Sequence, residues 1–188
     1  MMPNEPKTND EVSLWTCLHD GSLESIASDP MARSLTFVFD VPYIWNFHKY
    51  PESSRFHLVL GNVSKAVALD HSPWPRELKI PEGLSWEESQ KLRWDHYAKG
   101  RSQSIDWLTT AKKLSTSNDY DISNATYLEE NNQVILKLEI TNHEDEYSTL
   151  EITAETLATS LNGTRELSRE EFLSLGNAYW DAFGKQAS

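Results

Sequence analysis

Three places in the chain put a histidine beside an aspartate: His19-Asp20, Asp70-His71 and Asp95-His96. Such a pair is the minimum for general acid–base chemistry, because a carboxylate orients the imidazole and holds its proton. Adjacent residues on a strand point to opposite faces, however, so neighbours in sequence are not thereby partners in a site. His19-Asp20 ranks first because Gly21 follows it and permits a tight turn. The structural reading of that turn has Asp20 capping its backbone amides. The other histidines, His48, His57 and His143, complete no HExxH or HxH spacing, and the single Cys17 rules out a CxxC pair, so no metal site is indicated. No GxSxG, Walker or GxGxxG motif is present, and no cofactor is implied. No residue is assigned a catalytic role.

The second chemical resource is aromatic. Tyr43, Trp45, Phe47, Trp74, Trp86 and Trp94 have the ring area to line a pocket, although such residues more often fill a core. The candidate binding set is therefore His19, Asp20, Tyr43, Trp45 and Trp74.

The whole chain sets bounds on these candidates. With 188 residues, 38% hydrophobic and 24% charged, it is sized for one domain with a substantial core. Residues 1–11 read as a loose polar tail and 12–188 as the domain. The start lacks the apolar core of a signal peptide, and no apolar run approaches the length of a membrane span. These features, with Cys17 read as a buried hydrophobe, predict a cytoplasmic protein. The net charge of −12 comes without any cluster of Lys and Arg, which argues against nucleic acid and fits a basic protein partner. Solubility alone is the simpler use of that charge.

The elements follow from periodicity. Leu35, Phe37, Phe39 and Val41 alternate, as do Phe56, Leu58 and Leu60, and Val134, Leu136, Leu138 and Ile140. Leu23 and Ile26 fall on opposite parities, which predicts a bulge in the strand before Asp29-Pro30. A flip of parity after Gly61-Asn62 predicts another. Residues 41–51, between two prolines, read as a packed aromatic loop. Ser85/Glu88 and Ser168/Glu171 have capping-box spacing and start helices expected over 86–113, open to a break near Gly100, and over 169–183. Residues 154–161 are ambiguous, with Asn162-Gly163 read as a helix stop. The expected fold is α+β: an antiparallel sheet of about six strands with two main helices packed on its apolar face.

A shift of 99 residues lays Leu23 on Ile122 and Leu35, Phe37, Phe39 and Val41 on Val134, Leu136, Leu138 and Ile140. The sheet is then open to a reading as two duplicated ββ-β units, in halves 18–113 and 118–184. Any two alternating hairpins would also align in this way.

Leu18-His19-Asp20-Gly21-Ser22-Leu23, followed by a turn and an alternating strand, resembles small uncharacterised bacterial proteins, some of them similar to immunity proteins that neutralise polymorphic toxins. The resemblance spans roughly Trp15 to Leu69. It implies an antiparallel scaffold and a protein partner rather than a reaction. The reading is thus a non-catalytic acidic interaction protein, immunity-like. The alternatives are a small-molecule-binding protein with an aromatic pocket and a hydrolase-type enzyme using His19 and Asp20.

Overall fold

A computed structural model describes residues 11–70, 78–99, 103–106, 120–142 and 147–186. The fold is α+β, with four helices among the described residues and an eleven-stranded sheet whose pairings are all antiparallel. Strands β1 (Val12–Ser13), β2 (Ser22–Asp29), β3 (Ser34–Asp40), β4 (Phe56–Gly61) and β5 (Lys65–Asp70) belong to the first half, with helices α1 (Trp15–Leu18) and α2 (Pro42–His48). Helix α3 (Trp86–Lys99) and β6 (Gln103–Asp106) lead to β7 (Tyr120–Glu130), β8 (Gln133–Asn142), β9 (Tyr147–Ala154), β10 (Thr156–Leu161), β11 (Arg165–Leu167) and α4 (Arg169–Gln186).

The sheet order is β11-β10-β4-β3-β2-β7-β8-β9-β5-β6, with β1 added to β7. Two corners close it. β9 ends at Ala154 beside β8, and after Glu155 the chain continues as β10 against β4. Likewise β4 ends at Gly61 and resumes as β5 against β9. The two bent strands thereby exchange partners and draw the sheet into a barrel-like ring. A closed ring leaves few free edges. The alternating residues meet in register on one face: Phe39 opposite Phe56, Phe37 opposite Leu58, Leu138 opposite Leu150 and Leu136 opposite Ile152. All of these are buried and form one core.

The strand count of about six is corrected by this arrangement. Residues 56–70 and 147–161 each turn a corner and so count twice, and β1, β6 and β11 are too short to show a period. Thr156–Leu161 is strand, not helix: Leu161 pairs with Arg165 across the three residues 162–164, where Asn162 (φ 56°) and Gly163 (φ 67°) take positive φ and the Thr164 amide donates to the Leu161 carbonyl. The 41–51 segment is a helix rather than a loop, because Pro42 sits at the first helical position, where its missing N–H costs nothing. The helix expected over 86–113 ends at Lys99 and gives way to β6, while residues 107–113 lie outside the described set. None of the described side chains of α3, those of 86–95, is buried, whereas α4 covers the apolar face through Phe172 against Phe56 at 4.8 Å.

The bulge expected before Asp29-Pro30 is present, at Leu23/Ser25 in β2, and a second one that was not expected lies 99 residues on, at Ile122/Asn124 in β7. The parity flip after Gly61-Asn62 falls at the corner where β4 gives way to β5. β2 and β7 also pair through residues 99 apart, Ser22 opposite Asp121.

Both capping boxes form as well. The Ser168 hydroxyl accepts the Glu171 amide at 3.2 Å, and the Glu171 carboxylate accepts the Ser168 amide at 2.8 Å. Ser85 and Glu88 repeat the pattern. The amide bond holds the Glu171 carboxyl below its ordinary range. Its folded pKa is depressed, so its contribution is present above the ordinary glutamate pKa and fades as pH falls through the lowered one. Ser168→Ala is expected to cost about 1 kcal/mol at neutral pH, read as a lower denaturant midpoint with an unchanged slope.

Candidate functional site

The His19-Asp20 turn is built by close packing. α1 delivers His19, whose ring stacks on Trp15 at 4.4 Å and faces Trp180 of α4 at 6.3 Å. His19 Nδ1 lies 3.2 Å from the Ser123 carbonyl, which can only accept, so a hydrogen bond there needs the hydrogen on Nδ1. Nε2 is 3.3 Å from Asp20 Oδ1 and bonds it only when the imidazole is protonated at Nε2 as well. Asp20 itself takes positive φ at 57°. Its carboxylate pairs with His19 and is mostly exposed, in place of the expected amide cap. Gly21 is required for space rather than for φ: a Cβ there would meet the Leu18 and Asp40 carbonyls at 2.9 and 3.0 Å.

Tyr43, from α2, joins this group. Its ring lies 4.6 Å from Tyr179 and 5.8 Å from Trp180, and its buried hydroxyl has no hydrogen-bond partner among the described residues. Burial, reinforced by Cys17 and Asp20 nearby, raises its pKa. Of the candidate set, His19, Asp20 and Tyr43 therefore come together, joined by Trp15, Tyr179 and Trp180. Trp45 does not. It is 1% exposed on the inner side of α2, edge-on to Phe56 at 4.6 Å, with its indole N–H donated to Asp40 at 2.9 Å. Trp74 lies outside the described residues.

The group lacks an activated nucleophile. Cys17 is fully buried, directs its thiol to the Phe172 carbonyl at 3.2 Å, and is pushed up to about 11 by burial. A thiol this high stays protonated and unreactive near neutral pH. The fold is expected to shield Cys17 from an alkylating reagent at pH 8 until denaturant opens it, followed by mass spectrometry. Because its folded pKa is raised, the associated stability is full below about pH 9 and lost as pH climbs through about 11.

A second place has the shape of a binding site and was not visible as residues in sequence. A cleft of about 970 Å³ opens between the β7–β8 turn, the start of β10, β11 and the first turn of α4. Its floor is apolar, from Leu14, Val134, Leu157, Leu167 and Phe172. Its rim carries Glu129, Glu130, Glu155 and Glu166 against a single cation, Arg169. Arg169 is already engaged, 5.2 Å over the Tyr127 ring and 3.9 Å from Glu129. Glu155 accepts from Asn62 at 2.8 Å, whereas Glu130 and Glu166 have no ion-pair partner among the described residues. The four glutamates are scattered over nearly forty positions, and only the corner between β9 and β10 gathers them.

Among the described residues no group of His, Cys, Asp and Glu is arranged to hold a metal, and no helix is long and apolar enough to cross a membrane. No protein-family model matches the chain, and no curated protein or solved structure matches it.

Proposed function

We propose that the chain is a non-catalytic interaction protein of bacterial type that docks a basic protein partner in the acidic cleft. The supporting observation is the cleft itself: an apolar floor ringed by carboxylates whose one cation is taken up internally. An apolar centre gives affinity, and a charged rim steers and selects the partner. The resemblance to immunity proteins of polymorphic toxins suggests the class of partner, a basic toxin domain met in the cytoplasm. The hydrolase alternative has less support, since His19 is stacked on Trp15, which packs in turn on Trp180, with no activated nucleophile beside it. The aromatic-pocket alternative has less too, since Tyr43 and Trp45 are not in the cleft.

The test is co-expression of the tagged chain with the protein encoded beside it. Wild type and His19→Ala are expected to retain that protein, and retention should weaken at high salt. The triple reversal Glu130→Lys, Glu155→Lys and Glu166→Lys should lose it at least tenfold with an unchanged thermal midpoint. Retention indifferent to the triple reversal would end the cleft reading. A hydrolase activity lost in His19→Ala without loss of stability would end the non-catalytic one.

A further inference from the structure

The two hairpins end their turns on residues 99 apart, Arg33 and Asn132, both left-handed, at φ 47° and 61°. The chain treats the corners beside them differently. Where β4 gives way to β5, Arg33 staples the corner shut. The Val63 amide donates to the Arg33 carbonyl at 2.8 Å, and Arg33 Nη2 donates to the Val63 carbonyl at 2.9 Å. Where β9 gives way to β10, the hairpin offers Asn132, a much shorter side chain, and Asn132 and Thr156 line the open cleft.

Next to that gap the sheet has an unfinished edge. β10 pairs with β4 along 156–161, but β11 covers only 159–161 on its other side. Thr156, Leu157 and Ala158 thus have no strand on that side among the described residues. An unpaired edge is a template for an added strand, and the alternation of such a strand sends every second side chain towards the floor.

We infer that the cleft takes an extended peptide carrying an arginine, its backbone added to the β10 edge at Thr156–Ala158 and its guanidinium placed among Glu130, Glu155 and Glu166. This rests on the cleft being the docking surface and names the segment docked there. Arg33 shows within the chain the kind of contact the ligand supplies from outside: an arginine closing a corner of the ring. Arginine fits better than lysine, because its planar fork meets a carboxylate and a backbone carbonyl together. The rim supplies the complementary charge, since its own cation is occupied.

The probe is a labelled hexapeptide of alternating threonine and valine with one central arginine, titrated against the full chain by fluorescence anisotropy. Lysine, glutamate and backbone N-methylated versions are run beside it, with N-acetylarginine amide as competitor. The arginine peptide is expected to bind at least tenfold tighter than the glutamate and N-methylated peptides, with the lysine peptide between. Asn132→Arg, which supplies the guanidinium from within as Arg33 does, should weaken binding at least tenfold without lowering the thermal midpoint. If Asn132→Arg does not fold, Glu155→Gln with Glu166→Gln must give the same loss. Equal affinity for the arginine and glutamate peptides, undiminished binding of the N-methylated peptide, or competition by N-acetylarginine amide as strong as that by the peptide would each overturn the proposal, as would full affinity in the cleft variants. Failure of the peptide, with partner retention still lost in the triple reversal, overturns the arginine strand and leaves the docking reading standing. Partner retention indifferent to the triple reversal removes both.

Discussion

Trp45→Ala is expected to lower the unfolding free energy by about 3–5 kcal/mol, the usual range for deleting a buried aromatic side chain. Trp45 is among the largest fully buried side chains, and its ring sits edge-on to Phe56 and 6.3 Å from Tyr50. Its loss leaves a cavity at the heart of the first half and removes the N–H held by Asp40. Asp40 would still have Arg55 at 3.2 Å, which is itself anchored by Glu24 at 2.7 Å. That residual pairing limits the polar part of the cost. Trp45→Phe should therefore recover most of the loss and leave a deficit of about 1–2 kcal/mol, for the missing hydrogen bond and the smaller ring. Urea titrations of the three proteins, compared at equal slope, make the measurement. A Trp45→Ala protein as stable as wild type but unable to bind its partner would restore Trp45 to the binding set.

Much of the architecture is legible because it rests on local chemistry. The capping boxes at Ser85 and Ser168 are four-residue patterns, and both form as read. The Asp29 turn needs only an acceptor near the following amides, and Asp29 Oδ1 takes those of Met31 and Ala32. The bulge in β2 shows as a parity break between Leu23 and Ile26. Asn162-Gly163 carried a hairpin signal that was legible in principle, but the mixed pattern before it allowed a helix stop to be read instead. The ring closure was not legible. It depends on β9 and β4 exchanging partners at Glu155 and at 61–64, and no window of sequence records which strand lies across from which. The cleft shares that blindness, because it exists only where a corner pulls β10 away from β8. His19, Asp20 and Tyr43 were found by type and do meet, but Trp180, from the far end of the chain, completes their surroundings. The 99-residue correspondence is carried further by the matched bulges and by the pairing of Ser22 with Asp121, and duplication is the history we propose for it.

The terminal helix offers a sharper test, because two glycines on it should respond with opposite signs. Glycine within a helix ordinarily costs about 1 kcal/mol relative to alanine, so a Gly→Ala change there usually stabilises. Gly184 has open space around the position a Cβ would take, and Gly184→Ala is expected to raise stability by about 0.5–1 kcal/mol. At Gly176 a Cβ would collide with the Thr16 carbonyl and come within 2.8 Å of the Cys17 amide. Both are backbone atoms of α1 and cannot rotate aside. The same Thr16 carbonyl accepts the Trp180 indole N–H at 3.0 Å, and Cys17 is bonded to Phe172 one turn earlier on α4. Gly176 is thus the point at which two helix backbones touch, and alanine there must force them apart. Gly176→Ala is expected to cost about 3 kcal/mol or more, at the upper end for overpacking, because separation also strips the Cys17 and Trp180 contacts. Reactivity reports the place of the damage: Cys17, shielded in wild type, should label at pH 8 in Gly176→Ala well below the denaturant that unfolds the protein. Equal midpoints for the two variants, or a Cys17 that stays shielded in both, would mean that α1 and α4 do not meet at Gly176.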